Sequence, residues 1–145
     1  MNEYDAQIAR IVDLVGHDDD PDFDASRAKF FDYLSNELEL RCDVTGVEDF
    51  EWEEFYVIGP GSRHTYESLK VHQPSYNDVF ELVAIGNGAE SPWMMFPYED
   101  LAADVRRKSD GKHFRLGLSE IEAVDKKSEN YQLLHDYSVW FVNWR

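Results

Sequence analysis

The chain has 145 residues, which is enough for one domain with a sizeable hydrophobic core. Hydrophobic residues make up 43% of it and aromatic residues 14%, and this composition excludes a disordered acidic tail. The 30 acidic and 14 basic residues give a formal net charge of −16, so nucleic-acid binding is not expected, because it needs positive charge against the phosphates.

Three further features of the sequence predict the cellular location of the protein. The longest apolar runs are far shorter than the roughly 18 residues of a membrane span. The acidic N-terminus, MNEYDAQIAR, differs from a secretory signal. Cys42 is the single cysteine, so an internal disulfide is impossible. Together these features predict a soluble cytoplasmic protein that does not bind membranes.

The first 38 residues are predicted to be helical. Ile8, Ile11, Val12 and Val15 recur at the spacing of an amphipathic helix, and Gly16 follows at the expected end. A second helix is predicted over 23–38, because apolar residues again fall on one face. Asp20 or Asp22 is expected to cap the second helix, since their side chains accept hydrogen bonds from exposed N–H groups.

Short strands are expected to follow. Apolar and polar residues alternate over 40–45, which predicts a half-buried strand. The Asp110-Gly111 pair predicts a hairpin turn, because that sequence favours positive φ. We also expect a short helix over 66–70, a C-terminal helix capped by Ser128, and a run over 139–142 that is buried on every side. The remaining strands are predicted at 55–61, 79–86, 93–96, 102–108 and 112–117.

The order of these elements predicts an α+β fold in a single domain, 1–145. Residues 1–38 form helices, and residues 39–145 are mostly β-strand with a C-terminal helix and a terminal aromatic segment. Five or so short antiparallel strands are expected to form either a small SH3-like barrel or a curled sheet.

Negative charge is concentrated at one end of the chain. Residues 1–60 hold 17 of the 30 acidic residues but only four of the 14 basic ones. Like charges at this density repel one another and destabilise a compact state unless something neutralises them. A hard divalent cation does so well, because Ca²⁺ takes several carboxylate and carbonyl oxygens at once. The charge pattern therefore favours calcium binding.

The first candidate cluster consists of Asp18, Asp19, Asp20, Asp22 and Asp24. Its candidate metal ligands are Asp18, Asp20 and Asp22, which occupy positions 1, 3 and 5 of an EF-hand loop. The remaining positions exclude an EF-hand, because Phe23 replaces the required glycine and Lys29 the required glutamate. The cluster is therefore either part of another kind of metal site or an acidic helix N-terminus, where Asp favours the positive end of the helix dipole.

The second candidate cluster lies in the sequence GVEDFEWEEF. Aromatic residues alternate with the acids there, so we expect Phe50, Trp52 and Phe55 to anchor a long loop while Glu51 and Glu53 face water together. Such a loop is suited to holding several oxygens around one ion, although a solvated acidic edge that prevents strand pairing is equally compatible with the pattern. Its candidate metal ligands are Glu48, Asp49, Glu51, Glu53 and Glu54.

A protein-interaction module is the alternative function. Arg106, Arg107, Lys108 and Lys112 gather on the predicted hairpin, opposite in sign to the N-terminal half. Oppositely charged faces steer and orient a protein partner, unless these bases pair with acids of the same chain. No catalytic function is expected, because Cys42 lies within a predicted strand and the five histidines lack zinc-site spacing.

One segment resembles a known family. FFDYLSNELELRCDVTG, residues 30–46, is similar to the corresponding segment of the CcbP-type calcium-binding proteins of cyanobacteria. Tyr33, Leu34 and Leu38 match the end of a helix that runs into a strand in that family, and Tyr137, Trp140 and Trp144 resemble its aromatic C-terminal segment. The resemblance implies Ca²⁺ bound by surface carboxylates and a buffering or signalling role. The candidate ligands come from the two acidic clusters rather than from the resemblance.

Overall fold

The computed structural model describes residues 2–16 and 22–144. These residues form five α-helices, two 3₁₀ turns and five short strands. The helices are α1 (Glu3–Val15), α2 (Phe23–Glu37), α3 (Glu54–Val57), α4 (Arg63–Leu69) and α5 (Glu129–Trp144), with 3₁₀ turns at Glu51–Glu53 and Leu118–Glu120. The strands are β1 (Cys42–Gly46), β2 (Phe80–Gly86), β3 (Ala102–Arg107), β4 (His113–Gly117) and β5 (Ile121–Ala123).

The five strands form an antiparallel sheet with the order β4-β3-β2-β1-β5. Val44 of the inner strand β1 lies opposite Phe80 of β2 on one side and Ala123 of β5 on the other. Strands β4 and β5 are the two edges, and within the described residues they do not pair with each other. The α+β class is therefore confirmed, but the sheet is open. The predicted SH3-like barrel is not observed, because closure would require the two edge strands to pair.

The helices bury their apolar faces against the sheet. α2 packs against β2, and α5 packs against β5 and the 3₁₀ turn that precedes it. The shared core is rich in aromatic rings: Trp140 of α5 stacks on Phe23 at 5.1 Å between centroids and lies 5.1 Å from Phe30. Rings of this size remove a large area from water, so this cluster contributes much of the stability. The buried residues of this layer include Ile11, Phe30, Leu34, Val44, Phe80, Leu82, Tyr137, Trp140 and Phe141.

Local sequence determines where the long helices begin and end. Asp22 precedes α2 and accepts a hydrogen bond from the Ala25 N–H at 3.2 Å, so the predicted cap is confirmed. The Ser128 hydroxyl accepts from the Tyr131 N–H at 3.1 Å at the start of α5. Gly16 ends α1 with φ of 85°, a conformation that glycine adopts without strain. None of the helices in the described residues is long and apolar enough to cross a membrane.

Two predicted strands are not strands. Residues 55–61 form α3 and a turn, because Trp52, Tyr56 and Tyr66 pack their rings together and hold this segment away from the sheet. Residues 93–96 form turns. The prolines at 92 and 97 flank them and lack the N–H that a strand donates.

The C-terminal apolar run is only partly buried. Trp140 and Phe141 are fully buried, but Val142 is 70% exposed, so the prediction that the run is buried on every side is wrong. The run lies on an amphipathic helix, and successive residues of a helix point in directions about 100° apart. The side chain at 142 therefore faces away from the core.

Candidate functional site

Asp22 of the first acidic cluster lies at the start of α2. Asp18 and Asp20 lie outside the described residues, so the structure does not locate them. Asp22 is described, and one of its carboxylate oxygens caps α2. A capping carboxylate still has lone pairs for a second partner, since each carboxylate offers about four acceptor positions.

The second cluster lies on the segment that connects β1 to α4. Glu48, Glu51 and Glu54 are exposed and Asp49 is partly exposed, as expected for acids that face solvent. Phe50 is 2% exposed and anchors the segment as predicted. Phe55 is 55% exposed, so the prediction that it serves as an anchor is wrong.

Glu53 differs from its neighbours because it is fully buried. Its Oε1 accepts hydrogen bonds from the backbone N–H groups of Phe50 at 3.1 Å and Tyr76 at 2.8 Å. Its Oε2 accepts from the hydroxyls of Tyr66 at 2.5 Å and Ser75 at 2.7 Å. The prediction that Glu53 faces water beside Glu51 is therefore wrong. These four donors make Glu53 the internal anchor that joins the acidic segment to α4 and to the residues before β2.

A second buried charge anchors the other end of this long connection. Arg107 is 3% exposed, and its guanidinium donates to the backbone carbonyls of Lys70, Val71 and Gln73 at 2.8–3.1 Å. It also forms ion pairs with Asp78 at 3.0 Å and Asp110 at 2.9 Å. A planar guanidinium with five donors suits this many acceptors. Because its side chain is enclosed, Arg107 is not available to a protein partner.

The other bases of the hairpin lie nearer the surface and contact groups of the same chain. Lys108 forms an ion pair with Asp43 at 3.0 Å, and Arg106 lies 3.7 Å from Glu81. Lys112 donates to the Val71 carbonyl at 2.9 Å. These contacts reduce the free positive charge that the alternative function requires. Exposed ion pairs of this kind are weak, so an acidic group of a protein partner that binds the base more strongly can replace the acid of the same chain.

The sequence patterns did not predict two neighbouring carboxyl groups, the fully buried Asp100 and the partly buried Glu120. Asp100 is fully buried, and its oxygens accept from the Tyr137 hydroxyl at 2.6 Å and the Ser119 hydroxyl at 2.6 Å. A Cβ placed on Gly117 would lie 2.5 Å from Asp100 Oδ2 and 2.3 Å from Glu120 Oε2, so glycine is needed there. Glycine within a predicted strand is the only sequence sign of this close approach.

Burial makes both carboxyl groups reluctant to ionise. Burial raises the pKa of the Asp100 carboxyl to about 6, although its hydrogen bonds to Ser119 and Tyr137 oppose the change. Burial is the main reason that the pKa of Glu120 rises to about 7, and the negative charges of Asp100 and Glu51 contribute to the same rise. Glu51 belongs to the predicted second cluster, so the charge of one candidate ligand is felt at Glu120.

We expect Glu120→Gln to stabilise the protein above pH 7 and to have little effect at pH 4. Because the folded-state pKa values are raised, the neutral carboxyls stabilise the fold below about pH 4, and this contribution is lost as pH rises through 6 to 7. Glutamine resembles the neutral form, so the gain in unfolding free energy at pH 8 should be about 2 kcal/mol. Urea unfolding of wild type and variant at both pH values measures it. An equal gain at both pH values would contradict this explanation.

In residues 2–16 and 22–144, no group of three or more histidine, cysteine, aspartate or glutamate side chains is arranged to hold a metal ion. The acids of the second cluster therefore do not form a group of three ready ligands in this conformation.

Comparison with known proteins gives matches in structure only. No family model and no curated protein sequence matches the chain. The crystal structure of Anabaena CcbP matches with a TM-score of 0.57 and 17% identity, covering 97% of this chain and 92% of CcbP. A structure described as a calcium binding protein in the calcium-binding form matches with a TM-score of 0.52 and 17% identity, covering 98% of this chain and 96% of that chain. The resemblance to the CcbP-type proteins predicted from residues 30–46 is therefore confirmed at the level of the fold, and it extends over nearly the whole chain.

Proposed function

We propose that this protein binds Ca²⁺ through carboxylates, with modest affinity and in a cytoplasmic buffering or signalling role. The observation that carries the proposal is the fold shared over at least 97% of the chain with two structures, one of Anabaena CcbP and one described as being in its calcium-binding form. The net charge of −16 supports it, because excess carboxylates favour a cation that neutralises several of them at once.

We place the ligands in the two acidic clusters. In the second cluster, the exposed carboxylates of Glu48, Asp49, Glu51 and Glu54 supply free oxygens. Glu53 has a different role there: four protein donors already occupy its oxygens, so it positions the segment rather than binding the ion directly. In the first cluster the proposed ligands are Asp18, Asp20 and Asp22.

Modest affinity follows because the acids of the second cluster are not already grouped as ligands. Bringing three or four surface carboxylates around one ion orders flexible side chains, and this costs conformational entropy. The same movement brings like charges together, and binding must first overcome that repulsion. Sites of this kind bind Ca²⁺ in about the micromolar to millimolar range.

Calorimetric titration with Ca²⁺ tests the proposal. We expect binding that is lost in Glu48→Gln/Asp49→Asn/Glu51→Gln/Glu54→Gln, in Asp18→Asn/Asp20→Asn/Asp22→Asn, or in both. The change Asp22→Asn keeps the helix cap, since asparagine caps as well as aspartate. With a Kd of about 10 μM, Ca²⁺ at about 1 mM raises the free energy of unfolding by about 2.7 kcal/mol.

A control variant removes three acidic charges elsewhere, as many as the variant of Asp18, Asp20 and Asp22 removes. Asp32→Asn/Glu37→Gln/Glu129→Gln changes three exposed helical acids outside both clusters and should titrate like wild type. If this control loses as much binding as the cluster variants, the ions are held only by the overall negative charge. If magnesium and sodium at equal ionic strength stabilise the protein as much as calcium does, screening explains the effect and the proposal is wrong.

A further inference from the structure

The segment after the acidic cluster presents apolar side chains to solvent. Phe55 is 55% exposed, Val57 41% and Ile58 78%, and Pro60 follows them at the surface. We call these four residues the apolar knuckle. Single exposed apolar residues are common, but four within six consecutive positions form a patch of the kind that marks interaction sites.

The backbone holds the knuckle in a tight, defined turn. The N–H groups of Ile58 and Gly59 both donate to the Glu54 carbonyl at 3.1 Å, and the N–H of Gly61 donates to the Phe55 carbonyl at 2.9 Å. A Cβ on Gly59 would lie 2.7 Å from the Phe55 carbonyl oxygen, and one on Gly61 would lie 2.5 Å from the Tyr56 ring. Only glycine therefore fits at either position.

The inner side of the same turn is firmly attached to the protein. Tyr56 stacks on Tyr66 at 5.7 Å and 11° between the rings, and Trp52 packs against both. The indole N–H of Trp52 donates to the Pro74 carbonyl at 2.6 Å. Together with the buried carboxylate of Glu53, these contacts hold the knuckle in place before any partner arrives, so binding would need little further ordering.

Negative charge precedes the knuckle in the chain. Glu54 lies directly before Phe55, and Glu48, Asp49 and Glu51 lie within the seven residues before it. Between Arg41 and Arg63 the sequence has no basic residue. In the described part of the chain, none of these four acids takes part in an ion pair. The knuckle is therefore joined to four acids that no ion pair of the described residues neutralises, and we call Glu48, Asp49, Glu51 and Glu54 the acidic rim.

We propose that the apolar knuckle docks a basic amphipathic helix of another protein. The apolar side chains of the knuckle would pack against the apolar face of that helix, and its lysines or arginines would form ion pairs with the acidic rim. The same rim repels an anionic membrane surface. It also disfavours a second copy of this chain, because the net charge is −16 and the hairpin bases already contact its own acids and carbonyls.

A defined probe tests this inference without calcium. A short synthetic helical peptide of leucine and lysine is titrated into the ¹⁵N-labelled full chain in EDTA, at about 150 mM salt, where distant charges are largely screened. We expect chemical-shift changes centred on 55–61. The variant Phe55→Ser/Ile58→Ser should bind the peptide at least about tenfold more weakly, because it removes the apolar contacts and keeps every carboxylate.

Matched controls decide between the alternatives. Val142→Ser changes an equally exposed apolar residue on α5 and should bind the peptide like wild type. A leucine and glutamate peptide should not bind. Equal binding of the peptide by Phe55→Ser/Ile58→Ser and by wild type would overturn the proposal. It would show that the peptide binds through the overall negative charge of the protein rather than through the apolar side chains. Binding to phosphatidylserine vesicles in place of the peptide, or self-association lost in the same variant, would also overturn it. Because EDTA is present, these outcomes are independent of whether the chain binds Ca²⁺.

Discussion

Replacing Glu53 with alanine is expected to lower the free energy of unfolding by about 3–5 kcal/mol, because removal of a buried charged partner leaves several groups without a hydrogen bond. Two backbone N–H groups and the hydroxyls of Tyr66 and Ser75 lose their acceptor at once. The side chain is fully buried, so water does not replace it without opening the segment. Urea unfolding monitored by tryptophan fluorescence measures the change.

Two further variants make this prediction specific. Glu53→Gln keeps the side-chain volume and one acceptor oxygen, and hydroxyls that face an amide N–H can rotate to accept from it. We therefore expect a smaller loss of about 1–2 kcal/mol. Glu54→Ala changes an exposed neighbour and should alter stability by less than about 0.5 kcal/mol. If Glu53→Ala and Glu54→Ala have similar stability, the described anchor role of Glu53 is wrong.

The second large effect is expected at Arg107. Arg107→Leu should destabilise the protein by about 3–5 kcal/mol, since it leaves two carboxylates without their buried cation. It also removes the donor to the carbonyls of Lys70, Val71 and Gln73, so the connection between α4 and β2 should become mobile. Hydrogen exchange of the amides over 63–78 should rise more than that of the sheet amides.

Lysine at this position separates charge from geometry. Arg107→Lys retains the positive charge, but one ammonium group cannot reach all the acceptors that lie around the edges of the planar guanidinium, so it should recover less than about half of the lost stability. The matched control is Arg106→Lys, at a more exposed site where a single weak pair with Glu81 is affected. Full recovery by Arg107→Lys would show that charge alone matters at this position.

These two buried charges also connect stability to function. Glu53 and Arg107 hold the two ends of the long connection between β1 and β2, and this connection carries the exposed acids and the apolar knuckle. Its side chains can present carboxylates and apolar groups to solvent because the backbone beneath them is fixed from inside. We therefore expect either destabilising variant to weaken both calcium binding and peptide docking, while the surface variants affect one and leave the fold intact.

Local patterns predicted the elements that depend on local interactions. The spacing of Ile8, Ile11, Val12 and Val15 corresponds to α1, and the Asp110-Gly111 turn corresponds to the β3–β4 hairpin with Gly111 at φ of 77°. Caps and turns are formed by residues within about four positions of one another, so a short stretch of sequence is enough to predict them. The same applies to the concentration of acids in residues 1–60.

Local patterns failed where a distant contact overrode a short apolar run. The apolar pattern of residues 55–61 predicted a strand. They form α3 and a turn instead, because Tyr56 stacks on Tyr66 and the carboxylate of Glu53 accepts hydrogen bonds from Tyr76 and Ser75. The sequence pattern also predicted the same solvent exposure for Glu51 and Glu53, although Glu53 is buried and Glu51 and Glu54 face solvent. Four-residue apolar or acidic runs carry too little periodicity to distinguish such environments.

The sequence by itself determined the three long helices α1, α2 and α5 with their caps, the hairpin, the concentration of acids in residues 1–60 and the resemblance of residues 30–46. Only the tertiary structure decided that the sheet is open, that Glu53 and Arg107 are internal anchors, and that Asp100 and Glu120 meet beside Gly117. The physical reason is the range of the interactions. Caps and turns are short-range in the chain, whereas strand order and the burial of a charge depend on donors and apolar groups brought together from distant segments.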